Sequence, residues 1–201
     1  NLFGAFGGVV KNQGLSFLIN IYTGPKVNAA FGIANQFASQ TNNMSAAIYQ
    51  SISPEIASRE GQGNRAGMIS LSQQMSKFII LLTFFWAIPF FFEMDYLLKL
   101  WLKTPPPHAA TFCQIILLAY IIDKSTAGYM EAVKAFGKIA LYQFVQGGMF
   151  ILTFPLAWLV FELGGTAEMA VAMLVVTSTG CSIGRVFWVK KLMKVSPLSW
   201  I

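Results

Sequence analysis

Charge is scarce in this sequence. Asp, Glu, Lys and Arg make up 11% of its 201 residues, while 55% are hydrophobic. Soluble domains carry roughly 25% charged residues, so the deficit excludes an ordinary water-soluble domain and points to lipid as the solvent. Histidine is almost missing: the single one, His108, follows Pro105-Pro106-Pro107 at a loop end and reads as an ordinary surface residue. Cysteine is limited to Cys113 and Cys181, each in an apolar run and without CxxC spacing, so both read as small core hydrophobes. Without clustered carboxylates or further His and Cys, there is no metal-ligand set and no nucleophile–base pair. No Walker-type lysine motif is present, which argues against ATP binding. No enzyme activity, cofactor or metal is therefore expected. The chain opens at Asn1 directly into an apolar run, with no signal-peptide n-region or cleavage site; its natural N-terminus is expected to lie upstream.

What is present is apolar length. Six stretches stand out, at about 3–22, 29–57, 68–93, 108–133, 138–162 and 167–189. Each can cross a hydrocarbon core of roughly 30 Å at about 1.5 Å per residue. Backbone groups in lipid must be satisfied within the segment, so each is expected to be helical. A β-barrel is excluded because period-2 alternation is missing. The fold class expected is an all-α membrane protein, a six-helix bundle. Gly/Pro/Asn punctuation falls between the stretches: Thr23-Gly24-Pro25-Lys26, the run from Arg59 to Arg65, Lys103-Thr104-Pro105-Pro106-Pro107, Gly137, and Gly164-Gly165-Thr166. Segment 94–107 reads as the longest loop on its side. Pro89 and Pro155 fall inside stretches, where proline kinks a helix.

The net charge of +6 does not make a nucleic-acid face, because the basic residues are dispersed between apolar stretches. They distribute by topology instead. Arg59, Arg65, Lys134, Lys138, Lys190, Lys191 and Lys194 belong to one side; Lys26, Lys99 and Lys103 belong to the other, with Glu93, Asp95, Glu162 and Glu168. The excess of Lys and Arg marks the cytoplasmic side, so both ends of the chain are expected there.

The first two stretches carry polar residues where lipid should be. Gly8, Asn12, Ser16 and Asn20 recur every four residues in the first. Gly32, Gln36, Ser39, Asn43 and Gln50 follow helical spacing in the second, widened by Asn35, Gln40 and Asn42. Such faces look into a bundle interior or a wet cavity. Helix–helix packing through small and polar residues is the alternative.

Charges at mid-depth sharpen the question. Lys11 lies near the middle of the first stretch, and Asp123-Lys124 interrupts the fourth. A charge at a helix centre costs roughly 2.5–3.5 kcal/mol even on the gentlest scale. Neighbours on a helix point about 100° apart, so Asp123 and Lys124 are not expected simply to neutralise each other, and Glu131 shares the face of Lys124. Snorkelling or a buried pair between helices is one reading. The other is a cationic cavity, with Lys11 and Lys124 receiving an anion. Lys77 reads as a snorkelling anchor, and Phe84 and Leu174 as lipid-facing.

Several short motifs carry a resemblance. They are Asn12-Gln13-Gly14 with Asn20, Gly24-Pro25-Lys26-Val27-Asn28-Ala29-Ala30, Gly32-Ile33-Ala34-Asn35-Gln36, and Ser53-Pro54-Glu55-Ile56. The Gly61 loop, Ser76-Lys77-Phe78, Leu100-Trp101-Leu102, Gly137-Lys138 and Tyr142-Gln143 continue the series. In this order and spacing the chain resembles the polysaccharide flippases of the MATE-like superfamily (multidrug/oligosaccharidyl-lipid/polysaccharide exporters), which serve O-antigen, capsule and exopolysaccharide assembly. The resemblance covers most of the chain and is strongest over 12–80. It implies two six-helix lobes around a cavity that opens alternately to each side of a bacterial inner membrane. This chain would be the second lobe, with the N-terminal lobe as a missing partner. The implied substrate is an undecaprenyl-diphosphate-linked oligosaccharide. Amide side chains suit sugar hydroxyls and lysines suit a diphosphate. The cavity candidates are Lys11, Asn12, Asn20, Gln36, Ser39, Asn43, Gln50 and Lys124; Asp123 and Glu131 are candidates for ion coupling.

Three other readings compete. A multidrug cation antiporter of the same superfamily would favour acidic and aromatic walls, against Lys11. A membrane glycan polymerase or ligase would need a catalytic Arg or His on a large outward loop. A non-transporting scaffold would use the stripes only to bind helices.

Overall fold

The computed structural model describes residues 2–137 and 139–193. Among them the chain is helical throughout, with short turns and no strand. Asn1, Lys138 and Lys194 lie outside the described residues.

The first stretch forms α1 (Leu2–Val9) and α2 (Leu15–Thr23), joined by a π-helical turn over Val10–Gly14. Gly24, at φ 87°, ends α2, and Pro25 opens α3 (Pro25–Gly61) at its first position, where a missing N–H costs nothing. α3 runs for 37 residues, about 55 Å at 1.5 Å per residue. Gly63 at φ 76° turns the chain, and the Asn64 side chain accepts a hydrogen bond from Gly67 N at 2.9 Å to cap α4 (Arg65–Phe92). Then come α5 (Met94–Leu102), α6 (Ala109–Ser125), α7 (Ala127–Ala135), α8 (Ile139–Glu162) and α9 (Ala167–Met193). Pro89 and Pro155 lie within α4 and α8, and Pro54 within α3.

Several long apolar helices make this a multi-pass membrane protein. α4, α8 and α9 are long and apolar enough to cross a bilayer, and α6 with α7 makes a fourth if that pair, bent by 45°, is one span. The first two stretches fall short of the same criterion. α1 and α2 are short pieces either side of the π turn, and α3 is long but polar.

Two expected features are corrected. Segment 94–107 is not simply a loop: α5 occupies its first part and packs Met94 and Leu98 into the core. The fourth stretch is not one straight helix but breaks at Thr126 (φ −114°, ψ 19°). No proline or glycine stands at that break. Local side chains and side chains of α9 share the carbonyls it frees: Ser125 Oγ and Ser182 Oγ donate to Ile122 O at 2.7 and 3.0 Å, and Arg185 Nη1 and Thr126 Oγ1 to Asp123 O at 3.0 and 3.3 Å. Such replacement partners allow irregular backbone at membrane depth.

Successive connections alternate between the two ends of the bundle. At one end Tyr22 OH donates to the Glu162 carboxylate while its ring stacks on Phe161, and His108 pairs with Glu168. At the other, the Arg65 guanidinium sits 4.5 Å over the Phe136 ring. α6 is central, packed against α3, α4 and α9, and α8 bridges α9 to α1. Phe31 and Phe112, both fully buried, meet edge to face with ring centroids 6.2 Å apart at the heart of the α3–α6 contact. Cys113 and Cys181 are free and buried.

A polar cavity between five helices

The π turn and five helices, α3, α6, α7, α8 and α9, line a cavity of about 520 Å³. Helix α3 brings Asn35, Ser39, Asn42 and Asn43 to it, the residues expected on one face of a 3.6-residue repeat. Lys11 and Asn12 enter from the π turn, Gln146 and Phe150 from α8, and Ser178 and Arg185 from α9.

Asp123 is the cavity's carboxylate. Its Oδ1 lies 2.7 Å from Arg185 Nη2, and its Oδ2 lies 3.6 Å from Lys124 Nζ. Arg185 is 3% exposed and uses the rest of its fork too: Nε donates to Tyr142 OH at 2.8 Å, and Nη1 to Thr126 Oγ1 at 3.1 Å. A planar guanidinium can serve four partners in this way where an ammonium cannot. Lys124 is buried, its Nζ 4.8 Å from the Tyr120 ring centroid and 5.3 Å from that of Tyr49. Tyr120 in turn donates to Thr41 O at 2.9 Å and shares a 2.6 Å hydrogen bond with Ser45 Oγ, tying α6 to α3. Lys11 Nζ lies 4.4 Å over the Phe150 ring. Such cation–π contacts soften the cost of a desolvated ammonium.

The candidates from sequence separate into groups. Lys11, Asn12, Ser39 and Asn43 line the cavity together with Asp123, and Lys124 packs directly behind it. Asn20 does not: it lines a groove of its own with Ser16, Asn28 and Phe154, where Ser16 Oγ donates to Asn28 Oδ1 at 2.8 Å. A four-residue spacing drifts by about 40° per step on a helix of 3.6 residues per turn, so Asn20 lies about 80° around from Asn12, on the side that Val9, Gln13 and Ser16 share. Gln36 and Gln50 are exposed on α3 outside the cavity. The amide face centres on Asn35, Ser39 and Asn42 instead.

Two charge expectations change. Asp123 and Lys124, though neighbours in sequence, approach each other closely enough to pair. Lys124 and Glu131 both face α3, at Tyr49 and Ser53, but Glu131 has separate partners. Its carboxylate accepts from Ser53 Oγ at 2.7 Å and Lys134 Nζ at 2.6 Å. Glu131 is thus paired apart from Asp123 and is not among the residues that line the cavity. Leu174, expected to face lipid, is 7% exposed and lines the cavity. Arg185 was not among the candidates. Its signal is an arginine inside an apolar stretch that no loop accounts for.

No family model matches the chain, and neither does any curated protein or solved structure.

Proposed function

We propose that this chain forms a six-helix lobe of an alternating-access transporter in the bacterial inner membrane, both of its ends cytoplasmic. Its cargo is a lipid-linked oligosaccharide diphosphate, flipped for polysaccharide assembly. In this reading α1–π–α2 and α3 are the first two spans, screened from lipid by the cavity's water and by a second lobe. α4, the bent α6–α7 pair, α8 and α9 are the other four. The two lobes rock about a site near the midplane.

One observation carries the reading: three cations, Lys11, Lys124 and Arg185, gather about a single carboxylate, Asp123, among amide and hydroxyl groups. A cluster with surplus positive charge attracts a polyanion and repels a cationic drug, which disfavours the antiporter alternative. Charge-assisted hydrogen bonds from Lys and Arg hold phosphate oxygens strongly. The amides of α3 donate and accept, as sugar hydroxyls require.

Thiol accessibility in the full-length protein tests it. On a background lacking Cys113 and Cys181, single cysteines go at Asn12, Asn35 and Asn43, with exposed Phe85 and Val176 as lipid-facing controls. The expected result is labelling of the first set by a charged, water-soluble reagent, and protection by polyprenyl-diphosphate oligosaccharide but not by the free sugar. Unlabelled cavity positions in every condition would reduce the stripes to packing surfaces; labelling without protection would reject the substrate.

A further inference from the structure

Helix α5 has three distinct sides. Met94 and Leu98 are buried against the bundle. Asp95 and Lys99, four residues apart, lie on a second, exposed side, and exposed Lys103 follows as the C-cap, at φ 59°. Tyr96, Leu100 and Trp101 are 63%, 71% and 51% exposed on the third, with Leu97 half-buried beside them. At about 100° per residue the three sides centre roughly 100–150° apart around the helix axis. A helix lying flat at a membrane surface has this arrangement, with protein beside it, water above and lipid below.

The apolar side of α5 also continues an existing lipid-facing surface. On α4, Leu81, Phe85, Ile88 and Phe92 are exposed at helical spacing, and Phe92 is the last residue before the chain bends at Glu93 into α5. The same end of the bundle carries exposed Tyr22 and Trp158. Tyr and Trp concentrate at the headgroup level of bilayers, where an apolar ring and a polar tip are both accommodated.

We infer that α5 is an interfacial anchor, lying in the headgroup plane with Tyr96, Leu97, Leu100 and Trp101 in contact with phospholipid acyl chains. The contact is apolar rather than electrostatic. Asp95 sits in the first turn of α5 and Lys99 in the last, each where the helix dipole favours it, and Glu93 and Asp95 offset Lys99 and Lys103. Attachment therefore needs no anionic lipid. Through Met94 and Leu98 the anchor sets the depth of the bundle at this end. Nothing in this inference depends on what the cavity transports.

Site-directed spin labels test it. On a background lacking Cys113 and Cys181, nitroxides are placed singly at Asp95, Tyr96, Lys99, Leu100, Trp101 and Lys103. The protein is reconstituted in vesicles of phosphatidylethanolamine and phosphatidylglycerol. Collision with oxygen, which concentrates in lipid, is compared with collision with a water-soluble nickel chelate. The expected ratio of oxygen to nickel accessibility is several-fold higher at 96, 100 and 101 than at 95, 99 and 103. The same pattern is expected in phosphatidylcholine alone. Uniform access to nickel would overturn the inference by placing α5 in water. Shielding of 96, 100 and 101 from both reagents would overturn it in favour of a protein partner. Loss of the pattern without phosphatidylglycerol would overturn the apolar basis of the contact.

Discussion

Arg185 of α9 holds Asp123 of α6 at 2.7 Å, and with the same guanidinium it caps the backbone where α6 breaks into α7. The pair is thus both a charge contact and a structural pin. Removing Asp123 leaves the Arg185 guanidinium buried without its carboxylate, and removing Arg185 leaves Asp123 to Lys124 alone; breaking a buried pair costs up to about 3–5 kcal/mol. R185M and D123L are each expected to lower the Tm in detergent sharply, and the double variant to recover part of the loss. Additive losses in the double variant would show that the two residues act separately.

Lysine at position 185 offers a finer test. R185K keeps the charge but loses the fork that reaches Tyr142, Thr126 and Asp123 O together. It is expected to fall between wild type and R185M in thermal unfolding, because Arg and Lys are not equivalent at multidentate sites. Wild-type stability in R185K would reduce the interaction to charge alone.

Glycine 128 lets α7 approach α4 closely. A Cβ there would collide with the Ser72 carbonyl oxygen and meet Ser76 Cβ at 2.8 Å. Overpacking of this kind costs typically 1–3 kcal/mol, so G128A is expected to unfold earlier. G148A, inside α8 with open space around the new methyl, is the matched control and is expected to unfold no earlier than wild type in the same scan, since Ala favours a helix interior over Gly.

Ligand binding tests the cavity's charge. A charge-assisted hydrogen bond contributes about 1.5–3 kcal/mol, which is roughly ten- to hundredfold in affinity. K11Q is expected to weaken binding of polyprenyl-diphosphate oligosaccharide in nanodiscs by that order, and Q36A to leave it unchanged. Equal effects of the two variants would remove the distinction between cavity and outer surface.

Helix limits were legible because glycine and proline announce them. Gly24-Pro25, Gly63-Asn64, Gly137 and Gly164 stand at the turns, and each of these glycines adopts positive φ. The break at Thr126 was not read from the sequence: Ser125 and Thr126 serve its carbonyls locally, but the side chains that complete the set, Ser182 and Arg185, come from α9. Helix α5 was hidden by the prolines that follow it, although Asp95, Lys99 and Lys103 repeat at helical spacing. Of the site, Lys11, Asn12, Ser39, Asn43 and Asp123 could be picked out as polar groups in apolar surroundings. Which of them converge depends on tertiary packing. A four-residue stripe drifts around the helix by about 40° per step, so Asn20 faces the groove and not the cavity, and Arg185 escaped attention near the basic tail.

The π turn at Val10–Gly14 has one more consequence. Lys11 and Asn12 stand inside it and serve one compartment, while Gln13 beside them faces the groove shared by Ser16 and Asn20. Excising a single residue there would leave an ordinary α-helix with nearly the same composition, yet turn its two ends about 100° against each other. The first helix is in this sense indexed by residue count as much as by residue type, and a one-residue gap is the change it can least absorb.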